Sequence, residues 1–222
     1  MTYDRDADRV ALLEATLAHA AFDGWSQKAL EAGAKDAGIP ADRVINAFPG
    51  GMAELLAFYH EVEDRHMLEA MVRANVADMR VRDRIAFAVK ARLQRNMRHR
   101  EAIRSACSFL AMPHNAPLAM RLLYRTVDAM WYGAGDNATD FNFYTKRALL
   151  AGVYSTTVFY WLNDKSAGSL ETWAFLDRRI DEVMQVPKIL GKFSAITDRF
   201  PNPLRVAQRM RPRGFRAGPA RG

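Results

Sequence analysis

Apolar residues return along most of this chain at steps of three and four, the interval that lines one face of an α-helix. In residues 8–23 they are Val10, Leu13, Leu17, Ala20 and Ala21, and Gly24 supplies a stop. Ser26 is placed to cap a second helix, which runs to Asp36 and ends at Gly38. Pro40 opens a third over 41–48, closed by Pro49, Gly50 and Gly51. Three short helices with a glycine turn between the second and third make a helix-turn-helix pattern. Longer helices are predicted over 52–79, 82–97 and 99–112. Beyond the breaker Met112-Pro113-His114-Asn115-Ala116-Pro117 they continue over 118–132, 140–162 and 170–183, the last capped by Ser169. No stretch of any length alternates apolar and polar residues as a half-buried strand does, and no repeat or Gly-rich phosphate loop is found. The pattern predicts an all-α bundle.

Residues 127–157 stand out within it. Trp131, Tyr132, Phe141, Phe143, Tyr144 and Tyr154 gather around one helix junction. Gly133, Gly135, Asp136 and Asn137 supply its turn, and Asp140 is placed to cap the helix that follows. A core corner would use such rings; a ligand mouth or partner surface would too.

Composition changes the picture mainly at the C-terminal end. Half the residues are hydrophobic, enough for a substantial core. Cys107 has no second cysteine to pair with, which suits a reducing compartment and a core-filling role. Residues 1–8 alternate acids and bases with no signal-type apolar run after them, so no secretory signal is expected. The charge-free run 148–163 is too short to span a bilayer and reads as a buried helix. The net charge of +7 is concentrated beyond Val186, where nine Lys and Arg face only Asp198. There Ile189, Leu190, Phe193, Ile196 and Phe200 recur at helical steps with Lys188, Lys192 and Arg199 at their edges. That is the pattern of a helix lying in a membrane interface, its cations on anionic headgroups. A last core helix followed by a disordered basic tail is the alternative. The domain reading is 1–51, 52–186 and 187–222.

The order of the first helices resembles the N-terminal region of TetR-type regulators. The DNA chemistry is missing from it, because the third helix sets Asp42, Val44, Ile45 and Asn46 around one cation, Arg43, with Asp36 and Glu54 adding negative charge. Glu63 and His66 form one Glu-x-x-His pair, where a di-iron bundle needs two such pairs and two more carboxylates, so a solvated face is expected. Arg82, Arg84, Lys90, Arg92, Arg95 and Arg98 are likewise expected on a solvent-facing side of their helix. His114 has no nucleophile and orienting acid beside it; a proline-framed hinge with a hydrogen-bonded His or Asn is expected.

Three segments, "MPHNAP" at 112–117, "VDAMWYGAGDNATDFNFYTKRALLAGVYSTT" at 127–157 and "ETWAFLDRRID" at 171–181, resemble the coenzyme Q biosynthesis accessory family, the ninth of the Coq proteins. The resemblance runs from about Val10 to Val186. It implies an all-α, TetR-like bundle with a helix-turn-helix-like N-terminal subdomain and a C-terminal amphipathic helix, without transcriptional function. It also implies a homodimer that binds isoprenoid quinone intermediates or other lipids such as phospholipid, and that assists the di-iron hydroxylase acting on the demethoxy-quinone ring. By resemblance Met130, Asp140, Phe143 and Tyr144 fall on the surface that contacts this hydroxylase. Phe143 stands where eukaryotic members often have Trp, so the ring is kept and the indole donor lost.

The residues allow such a role. A polyprenyl tail costs about 0.8 kcal/mol per CH₂ to expose, so it leaves the membrane only for an equivalent interior. A bundle rich in Phe, Met and Leu can supply one. Met120, Leu123, Val127, Leu150, Tyr154 and Phe159 are candidate lining, although a dry core uses the same residue types. No catalytic residue, metal ligand or cofactor is expected, nor DNA binding. The expected location is peripheral on an inner membrane, cytoplasmic or on the mitochondrial matrix side in a eukaryote. The alternatives are a TetR-like regulator with a hydrophobic effector pocket and, last, an enzyme acting on the lipid.

Overall fold

The computed structural model describes residues 4–136 and 141–197, and the side chains of 4–136 and 143–184. Among the described residues there are nine α-helices, linked by turns and short 3₁₀ segments, and no strand. The first, α1 (Arg5–Asp23), begins where the Asp4 carboxylate accepts from the amides of Asp6 and Ala7. It ends where Gly24 takes φ 72°. Its inward face is Leu12, Leu13, Thr16, Leu17 and Ala20. α2 (Gln27–Asp36) is capped by Ser26, whose hydroxyl accepts from the Ala29 amide at 3.3 Å. α1 and α2 approach so closely at Gly33 that a Cβ there would meet the Thr16 backbone nitrogen at 2.8 Å, so the sequence can hold only glycine without separating the helices.

α3 (Ala41–Ala47) and α4 (Gly51–Arg73) follow. The helix expected to reach residue 79 stops at Arg73, because Asn75 turns into the left-handed region at φ 47° and a 3₁₀ turn begins at Val76. Asparagine tolerates that conformation better than most residues. The N-terminal helices share one apolar core with α4 and with α6 (Arg100–Leu110), through Leu12, Trp25, Leu30, Phe48, Leu55 and Ala102. The Trp25 indole N–H donates to the Ala102 carbonyl at 2.8 Å, so its one polar group is satisfied inside that core.

α5 (Val81–Arg95) and α7 (Ala116–Gly133) pack on α4, and α8 (Phe141–Asn163) packs on α7. The breaker before α7 is the expected hinge: Pro113–Asn115 forms a 3₁₀ turn, and Asn115 donates to the Phe109 carbonyl at 2.8 Å while His114 is exposed.

α9 (Leu170–Thr197) is a single helix through Pro187, where the sequence suggested two. Its start corrects a second expectation. Ser169 does not cap it; that residue is buried at φ 58°. Asp164 does, accepting from the Thr172 amide at 2.9 Å and the Ser166 amide at 2.7 Å, with Ser166 Oγ accepting from Glu171 at 3.1 Å. A carboxylate outcompetes a hydroxyl for several amides at once because it offers more lone pairs and a full charge. Arg100 fixes the turn by donating to the Asp164 carbonyl and the Ser169 hydroxyl. The chain separates into compact units of residues 1–180 and 181–222.

Candidate functional site

The α7–α8 corner is held by charges under its rings. α7 ends tightly on α4: a Cβ on Gly133 would lie 2.7 Å from Met71 Sδ. Asp136, after the turn, pairs with Lys146 at 2.8 Å and Arg147 at 3.5 Å. Arg147 is buried, donates to Asp128 at 2.7 Å, and stacks with its guanidinium carbon 3.3 Å from the Phe143 ring centre. Phe143 meets Tyr144 edge-on at 5.1 Å, and Lys146 lies 5.5 Å from the Trp131 ring. Tyr132 and Tyr144 remain 72% and 68% exposed, leaving two phenol rings on a surface braced by cation–π contacts.

Of the four residues assigned by resemblance to partner contact, Tyr144 is therefore exposed and Phe143 half-buried. Met130 is fully buried, with no surface to offer in this arrangement, and Asp140 lies outside the described residues. The lining candidates divide as well. Val127, Leu150 and Tyr154 are buried and Leu123 is half-buried, whereas Met120 and Phe159 are exposed on the outer sides of their helices. Of the membrane-facing set, Phe200 lies outside the described residues. For Lys188, Ile189, Leu190, Lys192, Phe193 and Ile196 only the helical backbone is described.

Sequence reasoning missed the polar group inside the bundle. Arg92 of α5, expected in solvent, is 4% exposed. Its Nε donates to the Tyr154 hydroxyl at 2.9 Å, and its Nη2 reaches Thr126 Oγ1 at 3.3 Å, Asp64 at 3.3 Å and His60 Nδ1 at 3.1 Å. Thr126 in turn donates to Asp64 at 3.0 Å. One turn along, Tyr59 donates to Asn96 at 2.6 Å, Asn96 donates to Glu63, and Arg95 donates to Glu63 at 3.2 Å. Glu63, expected on a solvated face, thus points inward, and so does Asp64 beside it. Charges are tolerated inside a protein only when paired and hydrogen-bonded, as these are.

Electrostatics fixes the protonation states. Burial, then the cations Arg92 and Arg125, hold His60 down to about 3, so its neutral ring accepts from Arg92. Burial opposes the charge on Arg92, but Tyr154, Asp64 and Tyr59 outweigh it and leave the group raised and cationic. Burial raises Asp64 against the pull of Arg92 and Thr126. The arginine Nη1 alone finds no acceptor among the described residues. The result is a cation with an unsatisfied donor, set among α4, α5, α7 and α8.

The signal for this group is present in the sequence. Glu63 lies four residues from both Tyr59 and Met67, and Arg92 lies three from Val89 and four from Ala88, all buried. Opposite charges on the apolar stripes of two neighbouring helices mark an interior pair.

The structure also places two other groups singled out in the sequence. Arg43, the one cation of α3, is bound by the buried Asp8 carboxylate. Glu63 is held by Arg95 and Asn96 while His66 pairs with Glu69. Among the described residues no cluster of His, Cys, Asp and Glu could hold a metal ion, and no helix is long and apolar enough to cross a membrane.

The helix order and packing define the class, an all-α bundle of the TetR type. A solved TetR transcriptional regulator from Nitrosomonas europaea ATCC 19718 matches over 80% of this chain and 98% of its own, with a TM-score of 0.67 at 23% identity, a likeness of fold alone. The COQ9 family model matches residues 116–187, from the start of α7 into α9. The chain is 32% identical over 199 residues to the mitochondrial ubiquinone biosynthesis protein COQ9 of Drosophila melanogaster, covering 88% of this chain and 61% of that one. It is 35% identical over 181 residues to that of Rattus norvegicus, covering 79% and 58%, and 34% over 181 residues to that of Homo sapiens, covering 79% and 57%. The chain spans about three fifths of the length of these relatives. The likeness read from three sequence segments is thus found again by family and by relative.

Proposed function

We propose that this chain is a non-enzymatic accessory protein of ubiquinone biosynthesis that binds isoprenoid quinone intermediates, or phospholipid in their absence, at a membrane surface and presents them to the demethoxy-quinone hydroxylase. The observation that carries this reading is the match of residues 116–187, because it falls on α7, α8 and the start of α9, the elements that build the braced aromatic corner. Tyr144 and Phe143 form the partner-facing part of that corner, and the inward-facing Leu123, Val127, Leu150 and Tyr154 remain the candidates for lipid contact. The basic amphipathic segment beyond Val186 provides the contact with anionic lipid. Location is peripheral on the inner membrane, on the cytoplasmic or mitochondrial matrix side. A homodimer through α8 and α9 is part of the proposal. Ala148, Gly152 and Thr156, four residues apart, are exposed, and nothing lies within 4 Å of where a Gly152 Cβ would stand.

The test is organic extraction of the purified full chain followed by mass spectrometry, with co-purification of the hydroxylase alongside. A near-stoichiometric quinone or isoprenoid is expected, and Tyr144→Ala should reduce hydroxylase recovery roughly tenfold or more, as loss of an exposed aromatic anchor does, without changing the melting temperature. An extract free of lipid, together with undiminished recovery by the variant, would remove the proposal. The second reading, a transcriptional regulator, is favoured by the fold likeness alone. It requires sequence-specific, salt-dependent DNA binding, which the engagement of Arg43 with Asp8 opposes.

A further inference from the structure

Three cavities lie side by side along α1, α4 and the turn between α5 and α6, and Arg98 lines all of them. No residue of α7 or α8 takes part in their lining. The largest encloses about 760 Å³, within the span of roughly 300–1,000 Å³ typical of small-molecule sites. One part of its lining is apolar: Leu13 and Leu17 are buried, Phe58 and Val62 are half-buried, and Val10 is 45% exposed, while charged and polar side chains of α4 and the α5–α6 turn make the rest. The adjoining cavity of about 500 Å³ carries the apolar surface on to Phe22, which is 93% exposed, and Met97.

The charges around this wall are unevenly used. Of the acids lining the largest cavity, Glu63 is occupied by Arg95 and Asn96, and Glu14 is exposed. Arg65 faces Glu61 at 3.4 Å. Arg98 makes no hydrogen bond or ion pair among the described residues, although it stands where the three cavities meet. His99 beside it is lowered from its ordinary value, by burial first and then by the cations Arg98 and Arg95 against the opposing Glu63. Across the three cavities Arg65, Arg73, Arg95, Arg98 and Arg100 stand with Glu14, Glu63 and Glu101, so the lining is formally positive beside a recessed apolar surface.

We propose that this groove binds a single-tailed anionic amphiphile, with a carboxylate or phosphate head on Arg98 and the tail against Leu13, Leu17 and Val62. A guanidinium with free donors is suited to a planar or tetrahedral oxyanion. The apolar wall supplies the burial that a hydrated inorganic ion would not need. The site is separate from the isoprenoid-presenting role and does not rest on it.

Calorimetric titration of the full chain with octanoate, and with octan-1-ol as the uncharged counterpart, tests it. One equivalent of octanoate should bind saturably and move the His99 imidazole resonances. Octan-1-ol should bind roughly tenfold more weakly, the loss expected when a charge-assisted hydrogen bond is removed. Arg98→Glu and Val10→Glu, both at exposed positions, should each weaken octanoate roughly tenfold or more and leave thermal unfolding unchanged. Absence of saturable octanoate binding, equal affinity for the alcohol, or wild-type octanoate affinity in both variants would overturn the proposal. Each of those results would leave the isoprenoid extraction experiment unaffected.

Discussion

Arg92 shows how one side chain sets the character of the interior. Replacing it with Met leaves Asp64 enclosed without its cation, and the expected loss is about 3–5 kcal/mol in urea unfolding. Combining Arg92→Met with Asp64→Leu should restore much of that, since a well-packed apolar pair can substitute for a buried ionic one. His60 gives the interior its response to acid. Its pKa is about 3 in the fold against an ordinary 6.5, so between these values the unfolded chain binds a proton that the folded chain refuses. Stability is complete above about pH 6.5 and falls below it at about 1.4 kcal/mol per pH unit. Asp64, raised by burial, works in the opposite direction, and comparison with His60→Gln isolates the histidine: the variant should lose this part of the slope between pH 6 and 4. None of this required more than the sequence to suspect. Arg92 and Glu63 interrupt apolar stripes, yet α5 carries so many other arginines that a solvated side is the simpler reading without a partner helix in view.

Helices were legible as elements because periodicity survives any detail of packing. All nine described helices were expected, although their ends moved. The ends depend on which polar atom wins the free amides, and that is decided by the turn's three-dimensional path. The α8–α9 junction is the clearest case. Ser169 stands next to the helix in sequence, but Asp164, six residues before Leu170, reaches its amides. Asp164→Ala should cost about 1–2 kcal/mol, in line with removal of a strong cap, whereas Ser169→Ala should cost less. Thermal melts of the two variants decide between the caps. The aromatic corner was equally visible as a density of rings. Its bracing was not, since Arg147 lies 19 residues from Asp128 and stacks on a ring one turn away.

At the scale of the whole molecule, the basic character resides in a segment beyond Val186, and the body to which it is attached is close to neutral. The TetR-type arrangement could be read from helix order, whereas the expectation against DNA binding rests on one poorly basic helix. In the structure that helix's cation pairs with Asp8. The buried network carries a further consequence, in the time domain. Its bonds between helices join residues 28 to 62 positions apart in the chain, so none can form until distant helices have docked. Contacts of that separation demand loop closure before they return any stabilisation, and are expected to be largely absent from the barrier-top ensemble. Arg92→Met should therefore hasten unfolding by most of its energetic effect while refolding proceeds at nearly the original rate, as stopped-flow measurements on both limbs would show. The group of charges that the bundle encloses then acts chiefly on how long the folded chain persists, and little on how quickly it is reached.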